Sequence, residues 1–324
     1  MFLSVVLFAI GLVLLIYGGD WFVDGATGIA KRFRLPDIVV GATVVSIGTT
    51  LPEVMVSTTG ALQGSGAMAY GNAIGSIICN TSLIAAISIV CNPGPVNTKS
   101  MKTPAIFFYL ASAIYCLAAY GMGTFPRWLG FIMLSVFAVY MFLTVRNGLR
   151  NPDAAASEEA AEEKERKLWQ ELLLLVGGAA VIAVGADLLV EHGQIIAIEL
   201  GVPETVVALL FVALGTSLPE LVTTITSLRK GRASLGVGNV IGANIFNLVL
   251  VSGVAVTLAP FDVPVENTLL NTGLNLSLVF DIPVMLAVMS LMIFPALLNK
   301  KLSRWQGVAL LGIYAAFVVL QFVL

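Results

Sequence analysis

The hexapeptide Gly48-Thr49-Thr50-Leu51-Pro52-Glu53 returns as Gly215-Thr216-Ser217-Leu218-Pro219-Glu220, and 220 minus 53 gives an offset of 167 residues. The same offset pairs Gly18 with Gly185, Asp20 with Asp187, Asp24 with Glu191, Pro36 with Pro203, Gly71-Asn72 with Gly238-Asn239, Ile74-Gly75 with Ile241-Gly242, and Asn80 with Asn247. An offset held over so many positions means one unit written twice. Past Pro93 and Pro260 the register moves on by ten, so Arg127-Trp128 aligns with Arg304-Trp305 and the extra residues fall in the 260–280 region. The chain has to fold as two related copies.

Neither copy suits water. Hydrophobic residues make up 58% of the 324 positions and charged residues 11%, with a mean hydropathy of +0.97, which predicts a polytopic membrane protein. At about 20 residues per span, ten helices fit, roughly 2–30, 37–63, 67–91, 104–121, 127–147, 168–198, 204–228, 233–259, 281–298 and 304–323. With the N-terminus outside, 16 of the 17 Lys and Arg residues fall in cytoplasmic connections and only Arg127 lies outside. That bias sets the orientation, with both termini external to the cell membrane. Five spans per copy is an odd number, so the second copy enters the bilayer upside down. The expected fold is all-α, with ten transmembrane helices arranged as two inverted-topology five-helix repeats, 1–150 and 168–324. Residues 151–167, rich in Ala and Glu, join them as a solvated cytoplasmic linker. Many secondary transporters share this plan, with the substrate site where the repeats meet near the midplane.

Several features read as structural. The first apolar run starts at Met1 without a basic leader and is taken as a retained helix. Cys79, Cys91 and Cys116 show no metal-ligand spacing and read as packing residues. Asp281-Ile282-Pro283 reads as an N-cap and early-turn proline opening the ninth helix. Asp20, Asp24, Asp187 and Glu191 read as peripheral. His192, the single histidine, has Gly25 at its counterpart and is not taken as a proton relay. No nucleic-acid footprint is visible, and a monomer in the bilayer is the expected unit.

The doubled motif carries the chemistry. A carboxylate in hydrocarbon costs a few kcal/mol or more, so an intramembrane Glu is a functional candidate by default. Pro52 and Pro219 lack an N–H for the preceding turn and are expected to open the helix near Gly48-Thr49 and Gly215-Thr216, freeing backbone oxygens. Thr49 and Thr50 precede Glu53 by four and three residues, and Thr216 and Ser217 repeat the spacing before Glu220. In the following helix Asn72, Ser76 and Asn80 share a stripe, as do Asn239, Ala243 and Asn247. The carboxylates, hydroxyls, amide oxygens and freed carbonyls among these are all hard oxygen donors. They suit Ca²⁺ and Na⁺, and not Zn²⁺ or Cu⁺. Two glutamates also balance one divalent ion.

The pairs GTTLPE and GTSLPE, followed by GNAIGSIICN and GNVIGANIFN, resemble the paired repeats of the Na⁺/Ca²⁺ exchangers of the calcium/cation antiporter superfamily, over almost the whole chain. The resemblance implies two long gating helices, the first and sixth, that slide against the other eight. It implies that Glu53 and Glu220, with the backbone oxygens of Thr49 and Thr216, ligate Ca²⁺. Peripheral Na⁺ sites would use Thr50 and Ser76 on one side and Ser217 on the other, with the carbonyls of Ser46 and Ala213. Asn80 and Asn247 would face the centre. Two departures stand out. Ala243 replaces a serine hydroxyl of archaeal relatives, and Asn247 stands where potassium-dependent members carry Asp.

The function expected is therefore Na⁺/Ca²⁺ antiport by alternating access, independent of K⁺ and without a cofactor; the transported Ca²⁺ and Na⁺ are the partners. The alternative is a Ca²⁺/H⁺ antiporter using the same glutamates, although the proton-coupled branch usually carries an acidic motif beginning Gly-Asn. A membrane hydrolase lacks a nucleophile–base pair or HExxH, and a passive channel would not need paired broken helices.

Overall fold

A computed structural model describes residues 2–150, 166–200, 215–264 and 275–323. In chain order the helices are α1 (Phe2–Phe33), α2 (Asp37–Thr49), α3 (Leu51–Leu62), α4 (Gly66–Cys91), α5 (Thr98–Met122), α6 (Arg127–Leu149), α7 (Leu168–Glu199), α8 (Leu218–Arg229), α9 (Ala233–Leu258), α10 (Ser277–Asn299) and α11 (Arg304–Val323). Among the described residues eight of these are long and apolar enough to cross a bilayer, and α2 with α3, bent by 45°, brings the total to nine. The chain is an all-α polytopic membrane protein. Of the expected span at 204–228 only the C-terminal part, with α8, is described; most of the linker, and residues 265–274 of the 260–280 region, also lie outside the described residues.

Large apolar side chains cover the outer surface, including Phe2, Trp21, Leu117, Phe142 and Val176, as expected where the solvent is hydrocarbon. Polar side chains point inward instead. Helix starts are capped locally: Asn97 Oδ1 accepts from the backbone of Lys99 and Ser100 at 3.1 and 3.3 Å, and Gln306 Oε1 accepts from Ser303 N at 2.8 Å.

The two longest helices, α1 and α7, run antiparallel with their backbones almost touching. A Cβ on Gly11 would stand 2.9 Å from the carbonyl of Gly185, and one on Gly178 would stand 2.9 Å from that of Gly18. Only small residues permit such contact, and without water between helices this close packing is what holds them. The contact is reciprocal under the sequence offset, since 11 maps to 178 and 18 to 185.

Among the described residues four two-residue strands lie between the helices: β1 (Gly94–Pro95), β2 (Thr124–Phe125), β3 (Phe261–Asp262) and β4 (Lys301–Leu302). β1 pairs antiparallel with β4, and β2 with β3. Each ribbon therefore joins one half of the sequence to the other.

Among the described residues five helices contain a π-helical turn, at Gly41–Val45, Asn80–Ala85, Leu117–Met122, Asn247–Val251 and Ser277–Asp281. A π turn interrupts the i to i−4 ladder and is common at functional sites. In α2 the Ala42 carbonyl accepts from Tyr140 Oη at 2.8 Å, and Gly41 accepts from Ser46 Oγ at 2.8 Å. In α10 the π turn corrects the expectation for Asp281. The helix begins at Ser277, and Asp281 caps nothing; its carboxylate accepts from Gln321 Nε2 of α11 at 2.8 Å. Because the chain enters α10 through a wide turn, helical geometry starts one turn before the Asp-x-Pro signal.

Candidate functional site

The doubled motif breaks a helix in the first copy and opens one in the second. α2 ends at Thr49, Thr50 sits at φ −85°, ψ −2°, and α3 begins at Leu51 with Pro52 in its first turn. Ser217 sits at φ −88°, ψ 3° before α8, with Pro219 in the first turn. Each proline thus sits in the first turn of a helix, where its missing N–H costs nothing, and not in a helix interior. Glu53 and Glu220 occupy these first turns, where the helix dipole favours negative charge.

Both carboxylates are fully buried, and neither Oε1 nor Oε2 of either residue has a hydrogen-bond partner among the described residues. They lie close enough for each to act on the other electrostatically, and Glu220 sits beside Thr49 and Thr50 of the opposite motif. Two unpaired buried carboxylates cost far more than either alone unless a cation or protons balance them.

Around them the two halves exchange hydrogen bonds. Thr49 Oγ1 donates to Asn239 Oδ1 at 3.1 Å, and Thr216 Oγ1 donates to Asn72 Oδ1 at 3.2 Å. Under the offset of 167 each bond is the image of the other. Asn72 also donates through Nδ2 to Ser57 Oγ at 2.8 Å and the Glu53 carbonyl at 3.3 Å, while Ser46 Oγ reaches the Asn239 carbonyl at 3.0 Å. Asn72 and Asn239 were legible as members of a polar stripe; their role as the braces between halves was not, since a stripe says nothing about its partner.

The remaining expected ligands fall as follows. Thr50 Oγ1 and Ser217 Oγ are buried and have no hydrogen-bond partner among the described residues, and the same holds for both amide atoms of Asn80 and of Asn247. Asn80 and Asn247 each open a π turn, in α4 and α9. Ser76 Oγ reaches Asn72 Oδ1 at 3.5 Å. The Ser46 carbonyl accepts from Thr50 N at 3.0 Å, leaving one lone pair. Ala213 lies outside the described residues.

Cys79 lies nearer the site than its sequence suggests. Its buried thiol is beside Ser217 and within electrostatic reach of both glutamates, with Tyr314 Oη at 3.9 Å. Asp20 and Asp24 lie away from it, on α1, where Lys230 beyond α8 donates to the Asp20 carbonyl at 3.0 Å and to the Asp24 carboxylate. A cleft of 820 Å³ opens between α2, α3 and α7, and Gly48, Pro52, Asp187, Gly215, Thr216 and Pro219 line it. It reaches both copies of the motif.

The donor set fits a hard cation. It offers two carboxylates, four hydroxyl or amide groups with unpaired oxygens, and no imidazole, and among the described residues no three His, Cys, Asp or Glu side chains gather into a metal cluster.

Comparison with known proteins agrees with this chemistry. The sequence pattern of the family described as sodium/calcium exchanger protein matches residues 3–146 and 171–323. An uncharacterized membrane protein of Methanocaldococcus jannaschii is 34% identical over 312 residues, covering 96% of each chain. The sodium/calcium exchanger MaX1 of Methanosarcina acetivorans is 30% identical over 348 residues, covering 97% of each. The structure of the sodium-calcium exchanger NCX_Mj soaked with zero Na⁺ and Ca²⁺ superposes with a TM-score of 0.79 at 30% identity, covering 98% of both chains. With the family pattern spread across both halves and the whole fold shared, the chain belongs to the sodium/calcium exchanger family of membrane transporters.

Proposed function

We propose that this protein exchanges Na⁺ for Ca²⁺ across the membrane by alternating access, the two ions competing for Glu53 and Glu220. The observation that carries this reading is the pair of fully buried carboxylates, one from each copy of the motif, whose four oxygens have no hydrogen-bond partner among the described residues. Two charges balance one Ca²⁺; Na⁺ ions at the same oxygens displace it. Competition for one charge pair is what couples the two fluxes. Glu53, Glu220 and the backbone of Thr49 and Thr216 would hold Ca²⁺, and Thr50, Ser76, Ser217, Ser46 and Ala213 would hold Na⁺, with Asn80 and Asn247 at the centre.

The architecture we assign is ten spans in two inverted repeats, 1–150 and 168–324, with 151–167 as linker and both termini external. The exchanged strand pairing supports it. β1 and β3 are related by 261 − 94 = 167, and β2 and β4 by 301 − 124 = 177, so a two-fold operation turns the β1–β4 ribbon into the β3–β2 ribbon. The Gly11–Gly185 and Gly178–Gly18 contacts obey the same operation.

Proteoliposomes loaded with Na⁺ and diluted into Na⁺-free medium should take up ⁴⁵Ca²⁺. Uptake that ignores the Na⁺ gradient and follows a pH gradient would replace this reading with Ca²⁺/H⁺ exchange. Omission of K⁺ should leave the flux unchanged, because the neutral Asn247 supplies no third carboxylate at the centre. Asn247→Asp should introduce dependence on K⁺ or pH. Protein reconstituted at one copy per vesicle should remain active if the monomer is the working unit.

A further inference from the structure

We propose that the hydrogen bond between Thr81 and Asn244 is a positioning contact that fixes the separation of the central amides Asn80 and Asn247, and so sets how the site discriminates Ca²⁺ from Na⁺. The inference rests on the exchange reading and concerns residues outside the doubled motif. Asn244 Nδ2 of α9 donates to Thr81 Oγ1 of α4 at 2.7 Å and lies 3.2 Å from Met289 Sδ of α10; Thr81 Oγ1 is 3.1 Å from the same sulfur. All three residues are fully buried.

The location matters. Thr81 directly follows Asn80 inside the π turn Asn80–Ala85, and Asn244 precedes by three residues the Asn247 that opens the π turn Asn247–Val251. In a π turn the side-chain directions are no longer fixed by the 3.6-residue repeat, so an amide carried there needs an external reference. The Thr81–Asn244 bond supplies one, at the level of both amides, by tying one wide turn to the approach of the other.

Packing alone does not ask for it. Under the offset of 167, Thr81 corresponds to Leu248 and Asn244 to Ile77, so the image of the tie is an aliphatic pair, and both of those residues are equally buried. The same place in the other half is therefore filled without polarity. Choosing a buried amide instead leaves its Oδ1 without a partner among the described residues, a destabilising choice for a core position. What a hydrogen bond adds over an aliphatic contact is a fixed distance and direction. Ca²⁺ and Na⁺ differ chiefly in charge and in how many oxygens they gather, so the spacing of two neutral amides acts on their ratio more than on either affinity alone.

The test compares Thr81→Leu, Asn244→Ile, the double variant and Thr81→Ser in purified full-length protein. Ca²⁺ and Na⁺ dissociation constants come from ⁴⁵Ca²⁺ binding and its competition by Na⁺, and melting temperature is followed alongside. Each apolar single variant should change the Ca²⁺/Na⁺ ratio by about fivefold, the scale of one buried hydrogen bond. The double variant should change it no more than the larger single, and Thr81→Ser should keep the wild-type ratio. The double variant transplants a pair already used in the other half, so it keeps the test open if a single variant fails to fold. An unchanged ratio in the folded double variant, a parallel rise in both constants, or an equal effect of Thr81→Ser overturns the proposal. Absence of Na⁺-competed Ca²⁺ binding in the unsubstituted protein overturns the exchange reading instead.

Discussion

Thr49 of one half donates its hydroxyl to the amide oxygen of Asn239 in the other, at 3.1 Å, beside two buried carboxylates. The mirrored bond, Thr216 to Asn72 at 3.2 Å, closes the frame. A site braced in this way is built jointly by both halves, and its ligands are as good as the fit between them.

Removing either charge should therefore disable the whole site. Glu53→Gln and Glu220→Gln should each lower Ca²⁺ affinity by about 100-fold or more, equivalent to about 2.7 kcal/mol, while the protein still elutes as a folded species. Calcium binding by equilibrium dialysis and ⁴⁵Ca²⁺ flux measure this, and retained exchange in either variant contradicts the assignment.

The braces should contribute less, and equally. Thr49→Val and Thr216→Val each delete one neutral hydrogen bond, about 1 kcal/mol or roughly fivefold in Ca²⁺ affinity. Titration of both variants should give matching losses; a silent variant on one side would show that the two bonds are not equivalent in use.

Lys230 pairs with Asp20 and Asp24 on α1, while the counterpart position, 230 − 167 = 63, holds Gln63. The ionic contact between α1 and the end of α8 thus exists on one face only. Lys230→Gln should change the apparent Ca²⁺ affinity at that face and leave the opposite face as it was, with little loss of stability because the pair is partly exposed and screened. Right-side-out and inside-out vesicles separate the two faces.

Arg232 and Asp37 form a buried pair at 3.1 Å between the approach to α9 and the start of α2. Breaking a buried pair from one side costs up to about 3–5 kcal/mol. Arg232→Met should lower the melting temperature in detergent markedly more than Lys230→Gln does; equal shifts would mean that this pair is solvated.

Much of this was legible in the sequence because two independent periodicities coincide. Apolar runs located the helices to within a few residues for α1, α4, α6, α7, α9 and α11, and the constant offset singled out Glu53 and Glu220 before any contact was known. What stayed hidden depended on neighbours in space. A π turn leaves no composition signal, so the displacement of Asp281 from cap to interior could not be read. Nor could the partner of Asn244, which has Ile77 at its counterpart and so falls outside every repeat-based search. The proximity of Cys79 to the site was hidden as well, because its neighbour Ser217 lies far along the chain.

The crossed ribbons carry a lesson about evolution and folding together. A polypeptide cut between the two copies would yield pieces that each hold one edge of both ribbons and the mate of neither. Duplication supplied the sequence in two equal parts, yet the object that folds is the pair. Fragments co-expressed from 1–150 and 168–324 should consequently complement one another, and each alone should be a substrate for quality control.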